Sequence, residues 1–541
     1  MTRYLLAAEA DKIQDFIFRA AHLREAVGGS QLLTRFGDRK DGAPPNLGVP
    51  DKDLIVSGGG SFRALFDTRD QAAQFGRQLA EVYYQATGGS LTVIAEPEEV
   101  KDEADFARAS RVAQEKLREA KRRRPGRLTT VHLPYVAFCA SCGVGLASRH
   151  EKRHPKAERS QYLCDDCLAK GAERAEESLG AFLKPFVQAV VGEKENPYDY
   201  VWPGRDRPGA KREIDPTTDL GRFDPRNYVA YLVADGNNMG KVFDHCDEKQ
   251  MRRLSEAMEA ELRASLVAAT QELKKGQPEV AVNVIPVLPL ILGGDDLFAL
   301  LPAPWALDFA RHFCTEFEER MTNLVNGLNL SDRGKLPERI TVAAGVVVCK
   351  FNYPFYLAHS VGEERLRAAK QVAKRLAGEP GGKMHSVVDF EIILGSQVGA
   401  KSEQGDYRAT LRPYWLSDEG VPSGWGIQLK ALLDQRWELR NLPGKRLAQL
   451  RSLYRPSVLR LAKDDLKRWE SQKETLLQRI GRDKDTLTQV KAAFTALGGK
   501  DWRTIERRGE DEWHGHGLPD LLEAWDFAYR LDKPRRGYEE V

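Results

Sequence analysis

The stretch LILGGDDLFAL at residues 290–300 places two adjacent aspartates, Asp295 and Asp296, after two glycines and between two apolar runs. Apolar runs on both sides of a Gly-Gly pair predict a buried β-hairpin that turns at the glycines. Neighbouring carboxylates repel each other and are costly to hold beside a packed sheet, and a bound cation removes both costs. Because side chains alternate along a strand, both aspartates reach one ion only if they flank the turn, and a third carboxylate must complete the site.

Asp235 is the candidate for the third carboxylate, because it ends the apolar strand YVAYLVAD at residues 228–235. Strands and helices alternate from residue 227 to residue 394, which predicts a βαββαβ unit whose first strand lies beside the central hairpin. Ligands that are all oxygens favour Mg²⁺ or Mn²⁺, and two such ions would activate a 3′-hydroxyl and stabilise a triphosphate during in-line displacement. The alternatives are a solvated turn at Asp295 and Asp296 and a helix-capping role for Asp235.

Two further segments predict contacts to a triphosphate. A glycine-flanked turn follows Asp235 and would offer backbone N–H groups at a helix start; it consists of Gly236, Asn237, Asn238, Met239 and Gly240. Lys370 and Lys374 lie one helical turn apart in LRAAKQVAKRLAG, and either could reach the phosphates as a point charge. The alternative is that both lysines form the solvated face of an amphipathic helix.

The N-terminal part of the chain is a second copy of this unit. YLLAAEADKIQDFIF (4–18) parallels YLVADGNNMGKVF (231–243), and LIVSGGGSFRALF (54–66) parallels LILGGDDLFALL (290–301). Gly58-Gly59-Gly60-Ser61 then takes the place of Gly293-Gly294-Asp295-Asp296. The first copy therefore keeps the glycine turn without either aspartate. We predict an α+β fold with two ferredoxin-like (βαββαβ) units, one active and one silent.

Four of the seven cysteines form two Cys-x-x-Cys pairs, and the spacing C-x₂-C-x₂₁-C-x₂-C predicts a structural Zn²⁺ site; its ligands are Cys139, Cys142, Cys164 and Cys167. The alternative is a redox dithiol pair. The other three cysteines lie singly in apolar contexts, which predicts core thiols in a reducing compartment. His150 and His154 lie between the two pairs in a basic stretch that we interpret as solvated.

Composition limits the function classes. A chain of 541 residues is too long for one core, and a net charge of +3 gives no basic footprint over the whole chain. We find no signal peptide and no apolar run of membrane-spanning length, and we therefore expect a cytoplasmic protein. Residues from about 400 onward show amphipathic, charge-rich spacing that predicts a C-terminal helical bundle. Within it, WHGH at 513–516 is interpreted as a surface segment rather than a metal site.

Several motifs in their order resemble the large subunit of type III CRISPR effector complexes, the CRISPR polymerase. They are LREAVGGSQLL (23–33), the four-cysteine segment, DGNNMG (235–240), LGGDDLFALLP (292–302) and the helix with AHS and AAK (358–370). The resemblance implies two facing palm domains, an inserted four-cysteine zinc domain and a C-terminal helical domain. The expected boundaries are 1–102 for the first palm, 103–220 for a connector and the zinc domain, 221–398 for the second palm and 399–541 for the helical domain.

The resemblance also implies an activity, the synthesis of cyclic oligoadenylate from ATP when target RNA is bound. It makes Asp235, Asp295 and Asp296 the ligands of Mg²⁺ or Mn²⁺. The implied nucleotide-binding residues are the turn from Gly236 to Gly240, Gly293, Gly294 and Lys370, together with Ser57, Gly58, Gly59 and Ser61 of the silent palm. The implied partners are guide RNA, target RNA and other effector subunits, including a small helical subunit at the C-terminal domain, with no membrane.

The sequence departs from the family pattern in one respect, the HD nuclease domain. Many members carry an N-terminal HD nuclease, whereas this sequence starts at the first palm strand with His22 as the sole histidine before residue 130, so we expect no DNA cleavage. Two other functions stay open: a stand-alone nucleotide cyclase, and a catalytically silent scaffold in a ribonucleoprotein. The scaffold predicts eroded carboxylates, whereas Asp235, Asp295 and Asp296 are all present.

Overall fold

A computed structural model of the chain describes most of its residues. The described ranges are 2–20, 22–123, 136–153, 157–173, 180–204, 216–277, 284–330, 336–378, 382–394, 410–417, 427–454, 463–481, 483–498, 503–508 and 511–535. His154 lies outside them.

The N-terminal part forms a first sheet with helices packed against it. Its elements are β1 (Arg3–Ala10), α1 (Ile13–Phe18), α2 (Leu23–Phe36), α3 (Ala43–Asn46), β2 (Leu54–Gly58), β3 (Ser61–Phe66), α4 (Arg69–Thr87), β4 (Leu91–Val93), β5 (Glu98–Val100) and α5 (Phe106–Arg123). The strand order is β2-β3-β1-β4, and β5 also pairs with β1. This is the strand order of a ferredoxin-like unit, with the first strand beside the hairpin strand β3. The charged helix α5 packs on this sheet through Phe106, Ala109, Ala113 and Leu117, all buried.

The four-cysteine segment folds as a small unit that we call the knuckle. It consists of the two Cys-x-x-Cys turns, the hairpin β6 (Arg149–Glu151) and β7 (Gln161–Leu163), and helix α6 (Asp165–Glu173). Two helices, α7 (Gly180–Val191) and α8 (Pro216–Gly221), follow it along the chain. The exposed His150 ring lies 4.6 Å from the ring of Tyr162 within the hairpin. Helix α6 packs against α2, so the knuckle is docked on the first sheet's helices.

The second sheet is the larger one. Its elements are β8 (Tyr228–Gly236), α9 (Met239–Asp244), α10 (Glu248–Gly276), β9 (Leu288–Gly293), β10 (Asp296–Pro302), α11 (Ala306–Asn326), β11 (Val342–Lys350), α12 (Phe355–Gly378), β12 (Val387–Ile392) and β13 (Tyr414–Trp415). The order β13-β12-β11-β8-β10-β9 contains the ferredoxin-like order in its last four strands, and β12 joins in parallel after helix α12. The apolar run VAAGVVVC in β11 is buried on both faces, as expected for a central strand.

The two sheets meet at their hairpin turns. In the first sheet Gly59 and Gly60 form the turn between β2 and β3, and in the second sheet Gly294 and Asp295 form the turn between β9 and β10. A methyl group built on Gly59 would lie 3.6 Å from the backbone nitrogen of Gly294, so the two turns are in contact. The predicted correspondence of the two glycine turns is therefore also a physical contact between them.

The C-terminal part is helical, as predicted, with one addition and one correction. Its elements are α13 (Leu429–Glu438), α14 (Gly444–Ser452), α15 (Lys463–Ile480), α16 (Lys484–Gly498), β14 (Arg503–Arg508), β15 (Asp511–Gly515) and α17 (Gly517–Glu523). The sequence pattern did not predict the hairpin of β14 and β15. The surface interpretation of WHGH is wrong for His516, which is 3% exposed. His516 caps α17, and its Nδ1 accepts a hydrogen bond from the Leu518 N–H.

None of the helices in the described ranges combines the length and the apolar character that crossing a bilayer requires. The three single cysteines, Cys246, Cys314 and Cys349, are free and buried, as predicted for core thiols.

Candidate active site between the two sheets

Three carboxylates meet at one edge of the second sheet. Asp296 begins β10 directly opposite Asp235 at the end of β8, while Asp295 lies in the turn before it. One oxygen from each of Asp235, Asp295 and Asp296 lies within 4.8 Å of the others. The aspartate in the turn and the aspartate on the strand thus flank the hairpin end, as the alternation argument required. Asp235 comes from the adjacent strand because β8 pairs with β10.

The electrostatics of this cluster favour a bound cation. Burial, and then repulsion from Asp235 and Asp296, raises the pKa of Asp295 well above its ordinary value. Desolvation among the neighbouring groups of the hairpin, followed by the charge of Asp235, raises the pKa of Asp296 to about 7, although the residue keeps an exposed surface. Carboxylates with raised pKa values hold protons that a divalent cation can replace, because the cation removes the repulsion that raised them. The donor set is all oxygen and therefore fits Mg²⁺ or Mn²⁺.

Lys370 on helix α12 brings a positive charge to the same edge. Its ammonium group forms an ion pair with Asp235. Lys374, one turn later, is exposed. The structure thus brings Lys370 to the carboxylates and leaves Lys374 in solvent.

The turn after Asp235 lies against the hairpin. A methyl group on Gly236 would lie 3.1 Å from Asp295 Cβ, which explains the glycine at this position. Asn237 is buried, and its side-chain nitrogen donates to Thr341 Oγ1 at 3.0 Å. Asn238 has φ +62 at the start of α9, and Met239 is buried. A methyl group on Gly240 would have no atom within 4 Å.

A cavity of about 540 Å³ lies between the two sheets beside this cluster. Ser57, Gly58 and Gly59 line it from the first sheet, and Gly293 and Asp296 line it from the second. The structure therefore places these predicted residues on one cavity. Ser61 is not among the lining residues; it begins β3 opposite Glu9 of β1.

Sequence reasoning missed the charged residues of this cavity. Arg39 and Lys40 follow α2, and Arg263 lies on α10, each without a motif that marks it. Arg39 donates to the backbone oxygens of Leu54 and Ile55 at 2.8 and 2.9 Å, which fixes it beside strand β2. Arg39 forms ion pairs with Asp51 and Glu256, and Arg263 pairs with Glu259, so a phosphate in this cavity would have to compete with carboxylates for these cations.

A second cavity of about 710 Å³ lies on the other side of helix α1. Phe18 and Gln14 of α1, Cys142 of the knuckle, and His359 and Glu363 of α12 are among its lining residues. The ring of His359 lies 4.2 Å from the ring of Phe18. Gln14 borders both cavities, so α1 is the wall between them.

The four predicted zinc ligands lie together in the knuckle. One sulfur from each of Cys139, Cys142, Cys164 and Cys167 lies within 4.8 Å of the others. The sulfur atoms of Cys142 and Cys164 are 3.8 Å apart, and sulfurs about 2.3 Å from a tetrahedral Zn²⁺ are about 3.8 Å from one another. Hydrogen bonding from the neighbouring thiols lowers the pKa of Cys142, and the same contacts raise those of Cys164 and Cys167. The cluster therefore fits a structural zinc ion.

Comparison with known proteins agrees with this arrangement. Residues 228–377 match the family model described as Cas10/Cmr2, second palm domain. No curated protein sequence matches the chain.

The chain is similar in structure to solved forms of Csm1. A Csm1–Csm4 cassette in complex with cA3 aligns over 98% of this chain and 70% of that chain, with 15% identity and a TM-score of 0.50. Csm1 of T. onnurineus aligns over 98% of this chain and 70% of that one, with 14% identity and a TM-score of 0.48. A Csm1–Csm4 cassette in complex with cA4 covers 71% of this chain with 16% identity and a TM-score of 0.43. The chain spans only 54% of that Csm1 chain. Residues 228–377 are therefore similar to the second palm domain of the Cas10/Cmr2 family, in a chain whose fold is similar to that of Csm1 in a Csm1–Csm4 cassette.

Proposed function

We propose that this chain is a metal-dependent nucleotidyltransferase that converts ATP to cyclic oligoadenylate in type III CRISPR defence, gated by target RNA. The observation that carries the proposal is the convergence of Asp235, Asp295 and Asp296 beside a cavity that both sheets line. The Csm1–Csm4 cassettes have been solved with ATP, with cA3 and with cA4. That context supports adenine nucleotides as the substrates here.

In this proposal Asp235, Asp295 and Asp296 hold Mg²⁺ or Mn²⁺, which supplies activation of the attacking hydroxyl and charge stabilisation when bound. The turn from Gly236 to Gly240 and the ammonium of Lys370 bind the triphosphate, and Gly293 and Gly294 let it approach the hairpin. A 3′-oxygen bonds to the α-phosphorus, pyrophosphate leaves, and the hydroxyl proton is released.

The first sheet completes the site as the silent palm. Ser57, Gly58 and Gly59 form the wall for the second nucleotide, and Ser61 supports the turn. The knuckle holds Zn²⁺ structurally. We retain the four-domain division at residues 102, 220 and 398 as part of the proposal. Guide RNA, target RNA and further effector subunits are the proposed partners, with a small helical subunit docking on the C-terminal helices.

The test is mass spectrometry of the products formed from ATP with Mg²⁺ or Mn²⁺, with and without guide RNA, target RNA and partner subunits. Wild type is compared with Asp295→Ala/Asp296→Ala and with a matched control, Glu193→Ala/Glu195→Ala, whose side chains are exposed. An oligoadenylate made by wild type and control but not by the aspartate variant supports the proposal. A cyclic mono- or dinucleotide indicates a stand-alone cyclase. RNA binding without ATP consumption indicates a silent scaffold.

A further inference from the structure

Helix α1 forms the wall between the two cavities, although it is too short to hold its own position. It has six residues, Ile13–Phe18, whereas isolated helices shorter than about 12 residues are marginal in water. Ile13 and Ile17 face the cavity beside the hairpins, and Phe18 faces the cavity beside His359. The shape of both cavities therefore depends on whatever fixes α1.

The Gly28-Gly29-Ser30 segment of α2 lies where three parts of the chain meet. A methyl group on Gly28 would overlap the backbone oxygen of Lys170 in the knuckle helix α6. A methyl group on Gly29 would lie 3.6 Å from the Cα of Ile17 in α1. Ser30 donates a hydrogen bond to the backbone oxygen of Leu290 in strand β9. These glycines sit inside a helix at a cost of about 1 kcal/mol each relative to alanine. Because the Lys170 backbone oxygen lies so close to Gly28, a larger residue does not fit at this position.

Lys170 links the knuckle to α1 directly. It is 2% exposed, and its ammonium donates hydrogen bonds to the backbone oxygens of Phe16 and, at 3.3 Å, Arg19. The ammonium also lies 4.2 Å from the centre of the Phe16 ring. A buried ammonium is costly unless it is hydrogen-bonded, and here its acceptors are carbonyls at the end of α1, where a cation is favoured.

A second link fixes the knuckle on the same helices. Ser141, between the first two cysteines, donates a hydrogen bond to the buried carboxylate of Glu25 in α2. Lys170 follows Cys167 by one helical turn in α6, so the cysteine cluster determines where the ammonium lies. The knuckle is therefore held to α2 at Ser141 and to α1 at Lys170.

We propose that the four-cysteine knuckle, through Lys170, holds α1 in place and so shapes the cavities on its two sides, including the proposed nucleotide cavity, with Lys170 as a positioning residue. The contacts that hold α1 do not depend on the proposed function. Only the effect on nucleotide binding rests on it. The knuckle thus determines the position of a helix outside the knuckle itself. Loss of the Lys170 link loosens α1, which keeps the packing of Phe18 against Phe298, while the four thiolates would still hold a metal.

The first measurement is amide hydrogen exchange across residues 11–20 of the full chain, together with zinc content by mass spectrometry. Lys170→Met keeps the length of the side chain and removes its donors, and Lys152→Met replaces an exposed lysine next to the knuckle hairpin as the control. We expect about 10-fold faster exchange of α1 in Lys170→Met, with the zinc content of wild type, and no change in the control. Unchanged exchange of α1 would overturn the proposal.

A second measurement separates positioning from general loss of structure. Lys170→Gln retains an N–H donor and is expected to recover part of the α1 protection, which a purely packing role for Lys170 would not produce. Chelation of zinc from wild type should raise α1 exchange, and chelation from Lys170→Met should add little. Additive effects of chelation and substitution would contradict the proposed route.

Nucleotide binding provides the third readout. The KM for ATP should rise about 5-fold in Lys170→Met with kcat changed less than 2-fold, because the substitution alters cavity shape and leaves the carboxylates in place. An equal fall in kcat with unchanged KM would contradict a positioning role. If wild type consumes no nucleotide, the proposed function fails, whereas the exchange measurements still decide the inference about α1.

Discussion

The two hairpin turns that touch between the sheets have different backbone geometries. In the first sheet both central residues have positive φ, +55 at Gly59 and +76 at Gly60. In the second sheet Gly294 has φ +62, and Asp295 is not among the described residues with positive φ. The first pattern is that of a type I′ turn and the second that of a type II′ turn. A type II′ turn accepts a side chain at its second central position, so only the second hairpin can readily carry an aspartate there.

The two sheets have equivalent carboxylates at another position, which aligning the two sequences letter by letter does not reveal. By strand pairing, Glu9 lies opposite Ser61 as Asp235 lies opposite Asp296, one residue away from the letter-by-letter alignment. Glu9 forms an ion pair with Lys121 at 2.7 Å, as Asp235 does with Lys370. Each lysine lies fifteen residues after the phenylalanine that begins its helix, α5 or α12.

The comparison shows that the first sheet has the carboxylate–lysine ion pair of the second sheet and neither of its other two clustered carboxylates. Within the described ranges, three clustered carboxylates occur at the edge of the second sheet and not at that of the first. Asp11, at the end of β1, is held instead by the hydroxyls of Ser90 and Thr92. A single carboxylate with a lysine partner is a stable ion pair, whereas three together require a cation.

The largest expected difference is in activity. Asp235→Asn should lower oligoadenylate formation about 10³-fold, because it removes one metal ligand, whereas Glu9→Gln in the equivalent position should change it less than about 3-fold. Product yield from ATP, measured by mass spectrometry, checks both variants. Equal losses in the two variants would show that the first sheet takes part in the chemistry.

The next effect is on stability. Gly60→Asp should destabilise the fold by about 2 kcal/mol, because Gly60 has φ +76 and a Cβ there would overlap Ile13 Cδ1. Thermal unfolding measures the loss, and Gly48→Asp, at φ +87 with no atom within 4 Å, controls for backbone strain alone. A stable Gly60→Asp variant would mean that the first hairpin can adopt the geometry of the second.

Lys370 and Lys121 should differ in what their substitution changes. Lys370→Met should raise the KM for ATP about 10-fold through loss of a phosphate contact, with Lys374→Met as its exposed control. Lys121→Met should leave KM unchanged and cost about 0.5 kcal/mol, since its ion pair is about one-third exposed. Steady-state kinetics and thermal unfolding measure these two effects. An equal rise in KM for Lys121→Met would place a phosphate at the first sheet.

The smallest effect is a pH dependence that belongs to the second sheet. Burial lowers the pKa of His359 from 6.5 to about 4. Because the unfolded chain binds this proton more readily, stability falls as the pH drops from about 6.5 towards 4, by about 1 kcal/mol at pH 5.5. Helix α5 has the uncharged Ser110 at the equivalent position.

His359→Phe should remove this part of the acid sensitivity, while the exposed His150→Phe should not. Denaturant midpoints measured from pH 7 to pH 5 compare the two variants with wild type. If the denaturant midpoint of His359→Phe falls with decreasing pH as steeply as that of wild type, other groups cause the acid sensitivity.

Much of the fold followed from local patterns. Apolar strands, helical spacing and the glycine turns predicted both ferredoxin-like sheets, and the cysteine spacing predicted the cluster in the knuckle. These features depend on neighbours along the chain, where alternation and turn geometry act directly. The C-terminal hairpin of β14 and β15 and the burial of His516 escaped prediction, because charged strands and a capping histidine carry weak local signals.

The sequence by itself determined which carboxylates are present and that the central hairpin brings Asp295 and Asp296 to a turn near Asp235. Only the tertiary structure decided which partners those groups meet. Glu9 is matched to Asp235 by strand register, which a one-residue offset hides in an alignment. Lys170 reaches α1 from a separate part of the chain. It does so because Gly28 has no side chain, which lets the backbones of α2 and α6 come into contact. Contacts of this kind depend on packing between distant segments, and no local pattern encodes them.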